Sequence, residues 1–203
     1  MFNVKRFGWK TLYLCSIYVI MDLSQTVTVI TANESHVAYI PEILSAIETA
    51  AKNKNNSIVM RSPEYLACKM KEGKAVLALK GTEFVGFCYI ETWQRKKYVA
   101  NSGLIVRPEY RGQGVARLIK QLIFEICRKR FPQAKIFGLT KSMAVRKINA
   151  SLGFEEVSYS KLTTDPIFWE GCSTCPYYHK LLAHDKASCE CIGMLYDPES
   201  FDN

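Results

Sequence analysis

At 203 residues, of which 48% are hydrophobic and 23% charged, the chain has the composition of one globular domain with a sizeable core, so we do not expect a disordered protein. The formal net charge of +8 favours an acidic partner, such as nucleic acid, a membrane surface or a small polyphosphate. Basic residues are scattered apart from short clusters at 95–97 and 128–130, so most are expected to be solvated surface charges.

The N-terminus has the polarity of a signal peptide, because Lys5, Arg6 and Lys10 precede the apolar stretch "TLYLCSIYVIM". No small-x-small cleavage site follows, and eleven residues are too few to span a bilayer as a helix. We expect residues 1–20 to be an upstream extension and Met21 to be the true start, since the first clear strand pattern begins only at Thr26. No membrane partner is expected.

Hydrophobic periodicity and capping residues predict the remaining elements in chain order. They are a strand at 26–30, a helix that Asn33 caps and Pro41 restarts or kinks, a helix capped by Ser62 and ended by Gly73, strands at 75–80, 83–93 and 99–106, a helix at 113–130, a strand at 135–139, a helix at 142–152 that Gly153 ends, and a strand at 154–160. This order predicts an α/β (α+β) fold with a mixed sheet. The 83–93 strand is apolar on both faces, which indicates a central strand covered by helices on both sides.

The turn before the 113–130 helix, "YRGQGV", contains two glycines and no acidic residue. Gly112 and Gly114 remove the Cβ atoms that would keep a ligand off the backbone. The amides of residues 111–116 precede the first intrahelical bond, and the helix dipole adds positive charge there. The turn therefore predicts an anion site suited to a pyrophosphate. The alternative is a turn that needs glycine only for its dihedral angles.

This turn and its flanks resemble the GNAT superfamily of acyl-CoA-dependent N-acyltransferases. The family signature is R/Q-x-x-G-x-G/A after an apolar strand that ends in Val-x-Pro, and the later segment is "LGF". The matching residues are Leu104, Ile105, Val106 and Pro108, then Arg111, Gly114 and Ala116, and finally Leu152, Gly153 and Phe154. The resemblance covers residues 27–162, and it implies a GNAT-like acyltransferase domain at 21–162 with a small cysteine-rich extension at 163–203.

The resemblance also implies a function, which is transfer of an acetyl or related acyl group from acetyl-CoA to a primary amine of a small molecule. The cofactor-binding residues would be Leu104, Ile105 and Val106, whose backbone pairs with the pantetheine arm, and Arg111, Gly112, Gln113, Gly114, Val115 and Ala116, which hold the pyrophosphate. The 135–139 strand would diverge from its neighbour and leave a wedge for the thioester. A small-molecule amine is the expected partner, nucleic acid is not, and a homodimer is left open.

The sequence departs from the family where many members have a tyrosine that protonates the leaving thiolate, because the position four residues before Gly153 is Asn149. Asparagine does not donate a proton in this way. It can hydrogen-bond the sulfur while the proton comes from water or from the product ammonium. The alternative is an ordinary helix residue that faces solvent.

The general base is also not at the family's usual place, where this chain has Asn101 and Ser102, which could hold a water relay. Glu91, beside Trp93, is the candidate base, because apolar surroundings make a carboxylate a better proton acceptor. The alternative is a solvated glutamate at a strand end.

Within the family, "RSPEYLACKMKEGKAVLAL", "GFCYIETW" and "NSGLIV" look similar to short bacterial acyltransferases associated with arginine biosynthesis, which acylate the α-amine of glutamate. An amino-acid acceptor carries one or two carboxylates. Arg61, Lys69 and Arg95 are the candidates to bind them through charge-assisted hydrogen bonds, and surface charges are the alternative.

Cysteine usage points to a reducing cytoplasm, since the eight cysteines are too sparse for a disulfide scaffold. Four of them lie in the 163–203 extension, namely Cys172, Cys175, Cys189 and Cys191. Four thiolates can close a tetrahedral structural zinc site, and reduced free thiols or a redox C-x-x-C pair are the alternatives. We expect the extension to pack against the acceptor side of the domain.

Two other functions remain open from the sequence. A zinc-containing nucleic-acid-binding module would account for the positive charge and the cysteines, but it requires a concentrated basic stripe that the scattered charges do not provide. A non-catalytic acyl-CoA-binding protein would account for the asparagine at position 149.

Overall fold

The computed structural model describes residues 18–20, 26–52, 58–174 and 189–201. Its strands and helices, in chain order, are β1 (Tyr18–Ile20), β2 (Val27–Thr31), α1 (Ile40–Ala51), α2 (Pro63–Lys71), β3 (Ala75–Lys80), β4 (Glu83–Trp93), β5 (Tyr98–Val106), α3 (Val115–Arg130), β6 (Lys135–Thr140), α4 (Met143–Ser151), β7 (Glu155–Val157), α5 (Pro166–Glu170) and β8 (Ile192–Tyr196).

The strands form one eight-stranded mixed sheet in the order β1-β2-β3-β4-β5-β6-β8-β7. Neighbouring strands are antiparallel except β5 and β6, which run parallel. Helix α3 covers one face of the sheet, whereas α1 and α2 cover the other, so the protein has two main cores. The predicted mixed sheet with helices on both faces is confirmed.

Strand β4 lies at the centre of this arrangement, as its two apolar faces predict. Its residues 84–91 are all buried, with Val85 and Ile90 in the core under α3 and Phe84 and Phe87 in the core under α1 and α2. Burying a large apolar side chain contributes about 1.5–3 kcal/mol, so the two cores fix β4 firmly between the helices. The strand therefore provides a rigid base for any polar group at its end.

The helix predicted from Asn33 is divided. The Asn33 side chain accepts a hydrogen bond from the Ser35 amide at 2.9 Å and caps a short 3-10 turn at Glu34–Tyr39. Helix α1 then begins with Pro41 in its first turn, a position that needs no amide donor. Pro41 therefore restarts the helix, which is one of the two outcomes that the sequence left open.

Strand β1 lies within the segment that the sequence assigns to an upstream extension. Tyr18–Ile20 pairs antiparallel with residues 27–29 of β2 and adds an edge strand to the sheet. Three residues are too few to give a recognisable alternation, so this strand was not predicted. The proposal that Met21 is the true start stays a prediction.

Strand β8 corrects the domain boundary drawn at residue 162. It lies between β6 and β7, with Ile136 opposite Tyr196 and Glu155 opposite Leu195. The segment after residue 162 therefore contributes a strand to the sheet of the main domain and is not only an appended extension. The cause of the error is that β8 pairs with strands distant in sequence, which no local pattern reports.

Strands β5 and β6 separate soon after they begin to pair. Their register holds only for Tyr98–Lys135, Val99–Ile136 and Ala100–Phe137. Beyond these pairs, residues 101–104 and 138–140 bound a gap in the sheet, which we call the wedge. Separation of these two strands agrees with the resemblance noted in the sequence.

A β-bulge in β5 lies beside the wedge. Phe87 pairs with Ile105 and Tyr89 pairs with Ser102, so Gly103 and Leu104 together stand opposite Cys88. A bulge leaves its extra residue out of the ladder and re-aims the strand. Gly103 has φ +65°, and a Cβ there would lie 2.3 Å from Cε1 of Tyr89. Only glycine fits this position.

Gly103→Ala is expected to destabilise the protein more than Gly81→Ala. Both glycines have positive φ, but a Cβ at Gly81 would have nothing within 4 Å. Gly81→Ala should therefore lower the free energy of unfolding by about 1–2 kcal/mol from backbone strain alone. Gly103→Ala should add about 1–3 kcal/mol from the clash with Tyr89. Urea denaturation measures both, and equal losses would contradict this account of the bulge.

Candidate active site

A cleft of about 1310 Å³ runs from the glycine turn, through the wedge, to the ends of β4 and α5. Residues of β4, β5, β6, α3 and α4 line it, as do residues of the turn itself. All of the predicted cofactor-binding residues line this cleft except Gln113, whose side-chain amide donates instead to the Glu109 carbonyl at 2.8 Å. The cleft therefore brings together the residues that the sequence selected.

The glycine turn leaves an open cradle of amides at the start of α3. Gly112 and Gly114 have φ +76° and +82°, and a Cβ at either position would have nothing within 4 Å. The amides of Arg117 and Leu118 both donate to the Gly114 carbonyl, so the amides before them precede the helical ladder. Two left-handed glycines with open space beside them fit a phosphate group at this point.

Arg111 adds positive charge at the mouth of the cradle. Its Nε donates to the Val106 carbonyl at 3.0 Å, which ties the guanidinium to the end of β5. The nearby acid, Glu109, is ion-paired with Arg107. The field at the cradle is therefore positive, which suits an anion.

Glu91 lies at the other end of the cleft with 7% of its surface exposed. The Ser102 hydroxyl donates to its Oε2 at 2.6 Å, the Tyr65 hydroxyl donates to its Oε1, and Nη2 of Arg61 lies 3.8 Å from Oε1. Glu91 is thus not a solvated strand-end residue. Its surroundings are also polar and not apolar as the sequence suggested, because hydroxyl groups from α2 and β5 converge on it.

Two tyrosines hold this polar group in place. Burial, followed by the charge of Glu91, raises the pKa of Tyr65, so its hydroxyl stays protonated and donates to the carboxylate. The Tyr89 hydroxyl accepts from Nε of Arg61 at 2.9 Å, and burial also raises the pKa of Tyr89. The two rings meet edge to face with centroids 5.8 Å apart. Of the other two nitrogens of Arg61, Nη1 donates to the Met60 carbonyl at 3.3 Å and Nη2 faces Glu91, so the guanidinium is held in place beside the carboxylate.

Arg61 is the one of the three predicted carboxylate-binding residues that lines the cleft. Lys69 packs its Nζ 4.7 Å from the centre of the Tyr65 ring, outside the lining. Arg95 lies in the turn between β4 and β5 with φ +54°, also away from the lining. An anionic acceptor in this cleft would therefore meet Arg61.

Asn149 reaches the cleft from α4 and is only 2% exposed, so the solvent-facing alternative is wrong. Its Nδ2 donates weakly to Sδ of Met194 at 3.5 Å. Its Oδ1 is buried and has no hydrogen-bond partner within the described residues. The amide can therefore contact a ligand in the wedge.

Asn101 and Ser102, considered together as a water relay, point to opposite faces of β5. Ser102 binds Glu91, whereas Oδ1 of Asn101 accepts from Sγ of Cys127 at 3.3 Å. Nδ2 of Asn101 is buried without a partner in the part of the chain that is described. Only Ser102 therefore belongs to the polar group around Glu91.

Sequence reasoning missed Lys120, which lines the cleft from α3 with 3% of its surface exposed. Burial lowers its pKa, and its Nζ lies 5.5 Å from the centre of the Phe154 ring. The signal was present in the sequence, because a lysine seven residues before Cys127 occupies the buried face of this helix. Lys120 was overlooked because the other residues on that face of the helix are apolar.

The zinc prediction gains no support from the described residues, where no group of three or more His, Cys, Asp or Glu side chains is arranged to hold a metal. Cys172, Cys189 and Cys191 lie near Tyr159 and line the cleft. The fourth predicted ligand, Cys175, lies outside the described residues. The extension lines the cleft through these three cysteines, and its packing against the acceptor side stays a prediction.

Within the described ranges, no helix combines the length and the apolar character needed to cross a bilayer.

Comparison with known proteins identifies the fold and the family. The model of the acetyltransferase (GNAT) family matches residues 42–151. No curated protein matches the sequence at a significant level.

Solved structures with a similar fold include a Mycobacterium tuberculosis protein, Rv2747, in complex with CoA and NLQ (TM-score 0.61, 18% identity, 83% of this chain and 98% of that chain). N-acetylglutamate synthase from Neisseria gonorrhoeae, complexed with coenzyme A and N-acetyl-glutamate, has a TM-score of 0.61 at 16% identity over 84% of this chain and 35% of that one. Ribosomal-protein-alanine N-acetyltransferase from Brucella melitensis has a TM-score of 0.58 at 16% identity over 83% and 98%.

The family model covers more than half of the chain and includes the glycine turn, the wedge and the Glu91 group. The chain therefore belongs to the GNAT family of acetyltransferases.

Proposed function

We propose that this acetyltransferase moves an acetyl group from acetyl-CoA to the α-amine of a small amino acid that carries a carboxylate, with glutamate as the first candidate. The observation that carries the proposal is the polar group of Glu91, Ser102, Tyr65 and Arg61 at the end of the cleft opposite the glycine turn, in which Glu91 is buried and the other three are half-buried. A carboxylate base beside an arginine suits a substrate with an amine next to a carboxylate.

The donor fits the other end of the cleft. The open cradle at Gly112 and Gly114 and the charge of Arg111 suit a pyrophosphate, and residues 104–106 run from the cradle along the wedge. We assign the cradle to the pyrophosphate and the backbone of residues 104–106 to the pantetheine arm. When bound, acetyl-CoA supplies an already activated thioester, so the protein needs mainly to position the amine.

In this proposal Glu91 removes a proton from the substrate amine. Ser102 and Tyr65 each donate to one carboxylate oxygen and hold the carboxylate in place at the lining of the cleft. Arg61 lies 3.8 Å from the same carboxylate and would hold the acceptor's carboxylate, which sets the amine near Glu91. Positioned proton transfer of this kind contributes about 10²–10⁴-fold to a rate.

The resemblance of the fold to N-acetylglutamate synthase complexed with coenzyme A and N-acetyl-glutamate supports glutamate as the candidate acceptor. The similarity to ribosomal-protein-alanine N-acetyltransferase makes a peptide amine the competing acceptor for the test.

Gly114→Asp is expected to weaken coenzyme A binding much more than Gly114→Asn. The two side chains have nearly the same size, and both tolerate positive φ, so they differ mainly in charge. A carboxylate in the cradle would repel the pyrophosphate and weaken binding by about tenfold or more, and the effect should shrink at high salt. Calorimetry measures the affinity, and equal affinities for the two variants would count against the cradle as the phosphate site.

Glu91→Gln is expected to lower kcat by about 100-fold or more, because the amide retains the shape but does not accept the proton. Coenzyme A affinity should be unchanged, since Glu91 lies at the far end of the cleft from the cradle. Steady-state kinetics and calorimetry give the two quantities. A variant that keeps the full kcat would exclude Glu91 as the base.

Arg61→Met tests the acceptor. A thiol-release assay with acetyl-CoA would compare glutamate, glutamine, isoglutamine, alanine and a short peptide, on the wild type and the variant. If Arg61 binds a carboxylate of the acceptor, Arg61→Met should lower kcat/KM for that acceptor by about 10- to 100-fold, which corresponds to the loss of one charged hydrogen bond.

The matched control is the acceptor in which that carboxylate is replaced by its amide. For this acceptor, Arg61→Met should lower kcat/KM little further, because the interaction that it removes is already absent. If no amino acid releases thiol from the wild type while the peptide does, the amino-acid proposal is wrong. If Arg61→Met lowers kcat/KM equally for all acceptors, Arg61 does not bind the carboxylate.

A further inference from the structure

Lys120 is a buried cation that the proposed roles do not use. It is 3% exposed and lines the cleft from α3. No carboxylate forms an ion pair with it among the residues that the structure describes. A buried cation without a counter-charge is costly, so an anionic ligand in the cleft would stabilise the charged form of this lysine.

The groups that face Lys120 confirm that it has no counter-charge. Cys88 on β4 and Cys127 on α3 are its titratable neighbours, and Phe154, after α4, presents its ring at 5.5 Å. Burial raises the pKa of Cys88 to about 11 and also raises the pKa of Cys127, so both thiols are neutral. Burial lowers the pKa of Lys120 itself. Each neighbour is therefore uncharged near neutral pH.

Lys120 lies beneath the point where the wedge opens. Its neighbour Cys88 stands opposite the Gly103–Leu104 bulge, and its neighbour Cys127 contacts Asn101, the first residue of β5 beyond the pairing with β6. A bulge frees a backbone amide for a ligand at the same level. A donor arm that runs from the cradle along residues 104–106 enters the wedge there. Lys120 thus lies where the proposed donor carries its thioester.

We propose that the Lys120 ammonium protonates the coenzyme A sulfur as it leaves, which makes Lys120 a catalytic residue of the acetyl transfer. The proposal rests on the proposed function, since it requires the donor in the wedge. It assigns to a lysine on α3 the proton donation for which Asn149 on α4 has no suitable proton.

Protons and electrons are conserved in this step. The amine nitrogen forms the new bond to the acetyl carbon, the carbon–sulfur bond breaks, and its electron pair moves to sulfur. Lys120 gives one Nζ proton to that sulfur and becomes a neutral amine, while Glu91 takes one proton from the amine nitrogen. Lys120 regains a proton from water, and Glu91 returns one to water, which restores both residues.

Two other donors in the cleft, Tyr65 and Arg61, are less suited to this step. The Tyr65 hydroxyl is engaged by Glu91, on the acceptor side of β4. Arg61 does not release a proton near neutral pH. A lysine whose pKa is lowered by burial is a better acid than one in water, and its product is a neutral amine that a buried site accommodates.

The experiment titrates the thiol of bound coenzyme A by the ultraviolet absorbance of its thiolate. The complex with desulfo-coenzyme A, which lacks the thiol, serves as the blank for the protein's own cysteines. In the wild type the pKa of the bound thiol should lie below that of free coenzyme A. In Lys120→Met it should rise by about 1 unit or more, because the neighbouring cation is gone.

Lys129→Met is the matched control, because it removes the same charge from an exposed position of α3 and should leave the thiol pKa unchanged. Lys120→Met should fold, since it replaces an unpaired buried charge by an apolar side chain. Its kcat should fall by about 100-fold. Lys120→Arg should keep the low thiol pKa but lose kcat, because arginine supplies charge without releasing a proton.

The outcomes separate this inference from the proposed function. If coenzyme A binds the wild type and its thiol pKa equals that of free coenzyme A, the Lys120 inference is overturned while the proposed function stands. A Lys120→Arg variant with full kcat would likewise overturn proton donation. If calorimetry detects no coenzyme A binding at all, the proposed function fails, and the inference fails with it.

Discussion

The separation of β5 from β6 is the constraint on which the rest of the site depends. The two strands pair over three residues and then diverge, so within the described residues the backbone of β5 beyond Ala100 pairs with no strand on that side. Buried backbone groups need hydrogen-bond partners, and a ligand in the gap can supply them. The wedge is therefore both a local defect in the sheet and the reason why a cleft crosses it.

The wedge divides the chemistry between the two faces of the sheet. On the face under α1 and α2, alternate residues of β4 and β5 direct Glu91 and Ser102 toward the end of the cleft opposite the glycine turn. On the face under α3, the same alternation directs Asn101 toward Cys127, and α3 adds Lys120. Proton removal and proton donation would then occur on opposite sides of one strand, so that each group acts without neutralising the other.

Local patterns predicted those parts of the protein that local physics determines. The mixed sheet, the buried β4 strand and the cradle at Gly112 and Gly114 follow from periodicity and from glycine spacing. The place of β8 depends on long-range pairing that no short pattern encodes. Lys120 and the polar setting of Glu91 were missed for a related reason, because burial and partners arise only when distant segments pack.

The insertion of β8 between β6 and β7 has a consequence for how the molecule is made. Strand β6 gains its second neighbour, the antiparallel strand β8, only from residues 192–196, more than fifty positions later in the chain. Until these residues leave the ribosome, β6 presents an unpaired apolar edge, which is the kind of surface that invites wrong pairing with other chains. The last strand of the chain is thus inserted between two others and not added at an edge of the sheet, and residues 189–191, which line the cleft, arrive with it.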